Sequence, residues 1–189
     1  MVAAVIGLMR FIGIANAAVW FGAAVFFTVA VGPAFFSTQM LTLFGGSAAD
    51  PNARYYGGAA AQVVMERYYL LQHWCGAIAL LHLAWEGWYF GRSIRRLPLA
   101  VVLVLFALGL AGGYGIQPRL QRLHKTMYNV GGDQTAAQME VARRSFGVWH
   151  GLSQAANLVV LIGLGIYLWR VQIVPDQTRF IGPARFHLE

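Results

Sequence analysis

Along the chain, charged side chains drop out over four stretches: Phe11 to Ala49, Tyr68 to Trp85, Leu97 to Pro118 and Ser145 to Trp169. Each can supply the roughly 20 apolar residues that a helix rising about 1.5 Å per residue needs to cross a hydrocarbon core about 30 Å thick. Barrel strands would be shorter, with apolar and polar residues alternating, and these runs do not alternate. The pattern predicts an all-α integral membrane protein, a four-transmembrane-helix bundle with spans near 9–34, 67–90, 97–116 and 146–170. Residues 1–189 read as a single domain, with no linker long enough to set off a second one and no internal repeat.

The connections carry patterns of their own. "QPRLQRLHKTMYN" spaces Leu120, Leu123 and Met127 at i, i+3 and i+7, with Arg119, Arg122 and Lys125 on other faces, behind a proline suited to a first helical turn. A short amphipathic surface helix is expected near 118–129, lying on the membrane. Thr135 and Gln138 fit a capping box, so a helix is expected to start there and run into the fourth span. "GGSAADPN" is turn-rich, and "ARYYGGAAAQVVMERYYLL" leads helically towards the second span. "ANA" at 15–17 resembles a cleavage site, but Arg10 follows an apolar start and the apolar run continues past it, so the segment reads as a retained span.

Composition strengthens the membrane reading, because 58% hydrophobic and 11% charged residues compare with about 25% charged in soluble domains. The net charge is +7, yet the basic residues are spread over both ends of the spans. That distribution speaks for lipid headgroups as partners and not for nucleic acid. The lysine and arginine count is a tie between the two sides. "GRSIRRLP", a tight connection with three arginines, breaks it and puts both termini in the cytoplasm of a multi-pass protein. The single cysteine, Cys75, excludes an intramolecular disulfide.

Small residues indicate where helices touch. Gly109 with Gly113, and Gly147 with Gly151, each stand four apart, the spacing that lets backbones approach, so the third and fourth spans are expected to pack closely there. Polar residues inside the spans are the candidate chemistry. His150, Ser153 and Asn157 fall at i, i+3 and i+7 with Gln154 beside them, an intramembrane polar stripe that must face the interior. His82 and Glu86 are four apart and can pair. In an up-and-down bundle His73 and His150 are expected at one depth, where they are possible axial ligands of a b-type haem or contacts for a quinone. A metal site from His73, His150 and Cys75 is disfavoured because Cys75 points away from His73. No Walker, Rossmann, zinc-spacing or hydrolase-elbow motif occurs, nor an arranged nucleophile and base, so no catalytic residue and no metal ligand is assigned.

Several pieces resemble one family. "WFGAAVFFTVAVGPAFF", "ERYYLLQHWCGAIALL", "YGIQPRL" and "RRSFGVWHGLSQAANLVVLIGL" look like the four-helix membrane family that includes transmembrane protein 205 and a bacterial domain of unknown function. Gly32 and Pro33, Arg67 and Tyr68, and Phe146, His150, Ser153 and Asn157 carry the resemblance; His73 and His82 lie outside it. The resemblance implies a four-helix membrane protein, of a bacterial cytoplasmic membrane, and brings no defined activity. The leading expectation is a non-enzymatic accessory or scaffolding subunit of a larger membrane complex, with other subunits or a second copy as partner and no cofactor. The alternatives are a haem-binding or quinone-facing electron-transfer subunit and a small transporter.

Overall fold

The computed structural model describes residues 2–47, 49–90 and 96–173, and every regular element among them is helical. The order is α1 (Val2–Phe26), a π turn (Phe27–Val31), α2 (Gly32–Ala34), α3 (Thr38–Leu43), α4 (Pro51–Phe90), α5 (Arg96–Leu110), a second π turn (Ala111–Ile116), α6 (Gln117–Met127) and α7 (Ala136–Gln172). Because the π turns join α1 to α2 and α5 to α6 without a break, the fold is built from four long rods. Arg92, Arg95, Arg179 and Arg185, on which the orientation reading leans, lie outside the described residues.

Three rods are long and apolar enough to cross a membrane: Ala4–Ala34, Arg96–Met127 and Ala136–Gln172. α4 has the length, at 40 residues, but Gln72, His73 and His82 dilute its apolar stretch. By length and apolarity, the four expected spans come down to three.

Neighbouring rods run in opposite directions. Met9 meets His82 while Phe27 stacks on Tyr68, so the first rod and α4 are antiparallel. Gly109 meets His73 and Gln117 meets Gln62, which sets the third rod against α4. α7 closes the ring, with Leu105 over Gly163, Phe146 on His124, Tyr167 on Trp20 and Asn157 on Thr28. α4 and α7 therefore stand diagonally and run the same way. The core between them is small, with Trp20, Val102, Leu105, Leu164 and Tyr167 sealed from solvent while many large apolar side chains point outward.

Two prolines shape this frame. A proline inside a helix lacks the N–H for its i−4 bond, and its ring crowds that carbonyl. The residue before each proline donates five back instead of four: Gly32 to the Phe27 carbonyl and Gln117 to the Gly112 carbonyl. The widened turn takes up the ring, and the helix continues along its axis. Gln117–Met127 is therefore the end of the third rod and not a separate helix lying on the membrane. Its buried stripe is Gln117, Leu120 and His124, set against α4 and α7, with Arg119, Arg122 and Lys125 exposed.

The start of α7 follows the local sequence. Thr135 Oγ1 accepts from the Gln138 amide at 3.3 Å, and Gln138 Oε1 accepts from the Thr135 amide at 2.8 Å, closing the capping box. The reversal before it needs left-handed backbone at Asn129, Gly131 and Gly132, and the Asn129 side chain accepts from the Gln134 amide at 2.9 Å.

The glycines do not pack as expected. Gly109 and Gly113 face α4, where a Cβ on Gly113 would stand 3.0 Å from the His73 ring. At Gly112 a Cβ would stand 2.5 Å from the Tyr69 ring. Gly147 and Gly151 meet nothing within 4 Å, so the expected glycine contact between the third and fourth rods is absent. The reason is angular: both lie about a quarter turn round α7 from the polar stripe, and the stripe takes the inward direction. Gly112→Leu is expected to lower stability in detergent by about 1–3 kcal/mol through overpacking, whereas Gly151→Leu stays within about 0.5 kcal/mol of wild type. Thermal unfolding of the two variants checks this, and equal losses would contradict the packing.

Candidate functional site

At the end of the rods that carries the two long connections, the first π turn and the start of α6 open onto one cavity of about 570 Å³. Phe27, Thr28, Gly32 and Pro33 line it from the first rod, Gln62, Tyr68 and Tyr69 from α4, and Gln117 and His124 from the third. α7 contributes Phe146, His150, Ser153, Gln154 and Asn157, so the polar stripe read from the sequence faces this space. His150 and Gln154 keep exposed surface, so the cavity is not sealed.

Each stripe residue has a different engagement. Asn157 Nδ2 donates to Thr28 Oγ1 at 2.8 Å, and that hydroxyl donates in turn to the Ala24 carbonyl at 2.7 Å, tying α7 to the first rod. Ser153 approaches the Tyr69 hydroxyl across the diagonal. Gln154 Nε2 lies 3.4 Å from His150 Nε2, a contact within one helix turn. Gln117 Nε2 donates to the Gln62 carbonyl at 3.4 Å.

Histidines in this protein are held mostly by glycine notches. The His82 ring occupies the space a Cβ would take on Gly13, and Nε2 donates to the Met9 carbonyl at 3.0 Å. His73 sits over Gly109 and Gly113 and donates from Nε2 to the Gly109 carbonyl at 3.1 Å, with Tyr114 stacked on it. His124 sits over Gly58. His150 has no such notch; its ring stacks on Phe146 at 5.7 Å and borders the cavity.

These placements revise two expectations. His82 turns to Met9 and not to Glu86. Among the described residues the ion pair that forms is Arg144 with Glu140. His73 and His150 do not share a depth. The third rod measures the offset: His73 lies against Gly109 and Gly113, while Trp149, beside His150, lies under Arg119 with its ring 4.2 Å from the guanidinium. That is six to ten residues, or roughly 9–15 Å at about 1.5 Å per residue. Among the described residues no three of His, Cys, Asp and Glu gather as a metal site would need. Cys75 is buried against the first rod, where its carbonyl accepts from Asn16 at 2.9 Å.

The structure also brings in residues that the pattern did not single out. His124 is buried between Tyr55 at 5.4 Å, Tyr128 at 5.0 Å and Phe146 at 5.9 Å, and Phe146 passes the stack on to His150. An aromatic wall thus runs from α4 through α6 to α7. The available signal was the spacing of Gln117, Leu120 and His124, together with Gly57 and Gly58 in the middle of a helical stretch.

A family match covers residues 15–129, the stretch that holds both π turns. The chain belongs to the DUF4149 family, a domain of unknown function. The DUF4149 match includes Phe27, Thr28, Gly58, Tyr68 and His124 from the cavity wall, and ends before α7 begins. No curated protein and no solved structure matches the chain.

The bonding pattern separates two roles within the stripe. Asn157→Ala removes an interhelical hydrogen bond and is expected to lower stability by roughly 0.6–2 kcal/mol. His150→Ala loses only a contact within its own helix and an edge of the cavity, so its unfolding midpoint should stay near wild type. Thermal unfolding in detergent tests the pair, and a His150→Ala loss as large as that of Asn157→Ala would contradict the assignment.

Proposed function

We propose that this DUF4149 protein is a four-span membrane protein that binds a small amphipathic molecule in the cavity, without chemistry of its own. Support for α4 as the fourth span comes from its faces. Gln72 is buried, and His73 and His82 are spent on neighbouring backbones. Leu70, Trp74, Ile78, Leu81, Trp85 and Trp88 stay exposed, an apolar and aromatic face suited to lipid and its interface. The polar groups that lower the apolarity of α4 are thus turned away from the surface.

The observation that carries the binding reading is the lining itself. A roughly 300–1,000 Å³ cavity of aromatic and apolar walls with a few convergent polar groups is what a ligand site requires. Here the polar groups are the α7 stripe, Thr28, Gln62 and Gln117, and they converge between rods. Below the cavity the core is filled by Trp20, Leu105, Leu164 and Tyr167, which favours binding at one end over passage through the protein. A shared haem needs both histidines at one depth, and their offset speaks against it. The accessory-subunit reading keeps one observation: Gly147 and Gly151 face outward with open space in front of them, as a partner helix would need. The likeness to transmembrane protein 205 rests on sequence motifs and adds no chemistry.

Two measurements test this reading. Native mass spectrometry of the full chain from mild detergent is expected to show a retained amphiphile that Ser153→Trp, which fills the cavity, displaces. Equal retention by both proteins would remove the cavity as the site. For the spans, cysteines introduced at Thr42 and Lys125 in a Cys75→Ala background should label from one side of the membrane and a cysteine at Trp88 from the other. Labelling of all three from one side would sink the four-span topology.

A further inference from the structure

We infer that the amphiphile is a lipid whose head is a flat, uncharged ring bearing acceptor oxygens, the chemistry of a lipid quinone. The inference rests on the binding reading above and names the class of ligand for that same cavity.

Shape points this way first. Two pairs of parallel rings border the cavity: Phe27 on Tyr68, with centroids 4.3 Å apart and planes 8° apart, and Phe146 on His150, at 5.7 Å and 8°. Such faces accept another flat conjugated ring by offset stacking, and offer little to a bulky saturated head.

Electrostatics narrows the class further. Thr28, Gln62, Gln117, Ser153 and Asn157 give the wall neutral hydrogen-bonding groups, and among the described residues no carboxylate lines it. Among the described residues Arg54 is the one charged side chain of the lining, and it is exposed. A phosphate or carboxylate head would give up its water for a single rim cation, whereas a neutral head with carbonyl oxygens gives up far less and finds donors within.

One donor is waiting for such an oxygen. Tyr68 is only 8% exposed, and its hydroxyl lies near the Gln72 side chain without closing a hydrogen bond, so the O–H is buried and unpartnered. Leaving it so is costly. A small turn of the Tyr68 ring, whose hydroxyl has no surface open to the cavity, lets a ring carbonyl accept from it, and the amide of Gln154 on the opposite wall can donate to a second oxygen. Phe35, Phe36, Leu41, Met65 and Met127 supply an apolar lining for the hydrocarbon tail.

The test uses the full chain in lipid nanodiscs and a photoreactive azido-ubiquinone as probe. Labelling is expected on peptides from 54–69 or 146–157, displaced by decylubiquinone and not by oleate or phosphatidylglycerol. Tyr68→Phe keeps the ring and removes an unpartnered hydroxyl, so the protein should fold as before. Its affinity for decylubiquinone should fall about tenfold, the equivalent of one hydrogen bond. Arg54→Gln should leave that affinity unchanged. Labelling elsewhere, labelling that oleate displaces, a dependence on Arg54, or equal affinity in Tyr68→Phe would each overturn the quinone assignment. The failures are distinguishable: if native mass spectrometry still finds an amphiphile that Ser153→Trp displaces, only the ligand class is wrong. If nothing is retained, the binding reading falls with it.

Discussion

A proline within a membrane helix poses the constraint on which this structure turns. The bilayer core supplies no water to satisfy a carbonyl that has lost its donor, so the break must be repaired within the protein. At Pro33 and Pro118 the repair is a bond from the preceding residue to a carbonyl five positions back. Each repair adds a residue to one turn and shifts the face that follows. Both shifts occur at the same end of the rods, and the cavity lies where they do. Phe27, Thr28, Gly32 and Pro33 all reach it because the widened turn presents residues that a regular helix would divide between two faces.

The histidines follow a second rule, close approach at glycine. Three of the four described histidines replace the missing side chain of a glycine on a neighbouring rod, and two of them donate to a backbone carbonyl there. Such contacts are useful in a membrane, where apolar side chains gain little by leaving lipid for one another. His150 departs from the rule, as it has no glycine beneath it and faces the cavity. The polar groups of α7 thus divide into two that reach other rods, Asn157 to Thr28 and Ser153 to Tyr69, and two that remain available to a ligand, His150 and Gln154.

The same arrangement explains why α4 looks too polar for a span and still shows an apolar surface. Its glutamine and histidines are consumed by neighbours on two sides, and its tryptophans and leucines are left outside. Apolarity summed along a helix does not record which face each residue occupies. For a diagonal helix with partners on both sides, that omission matters most.

Local signals in the sequence determined the helical class, the approximate extents of the rods, the capping box at Thr135 and the face shared by His150, Ser153 and Asn157. Each of these depends on spacing along one helix, and spacing is what a sequence records. Tertiary structure alone decided that Gln117–Met127 continues the third rod, because absorbing Pro118 depends on backbone bonds to residues before it. It also decided that Gly109 and Gly113 meet α4, that Gly147 and Gly151 face outward, and that His82 prefers Met9 to Glu86. Those outcomes depend on how far one rod is rotated and slid against another, and no repeat within a single helix carries that information. The cavity belongs to this second group, since its walls come from four rods and exist only once their relative rotation is fixed.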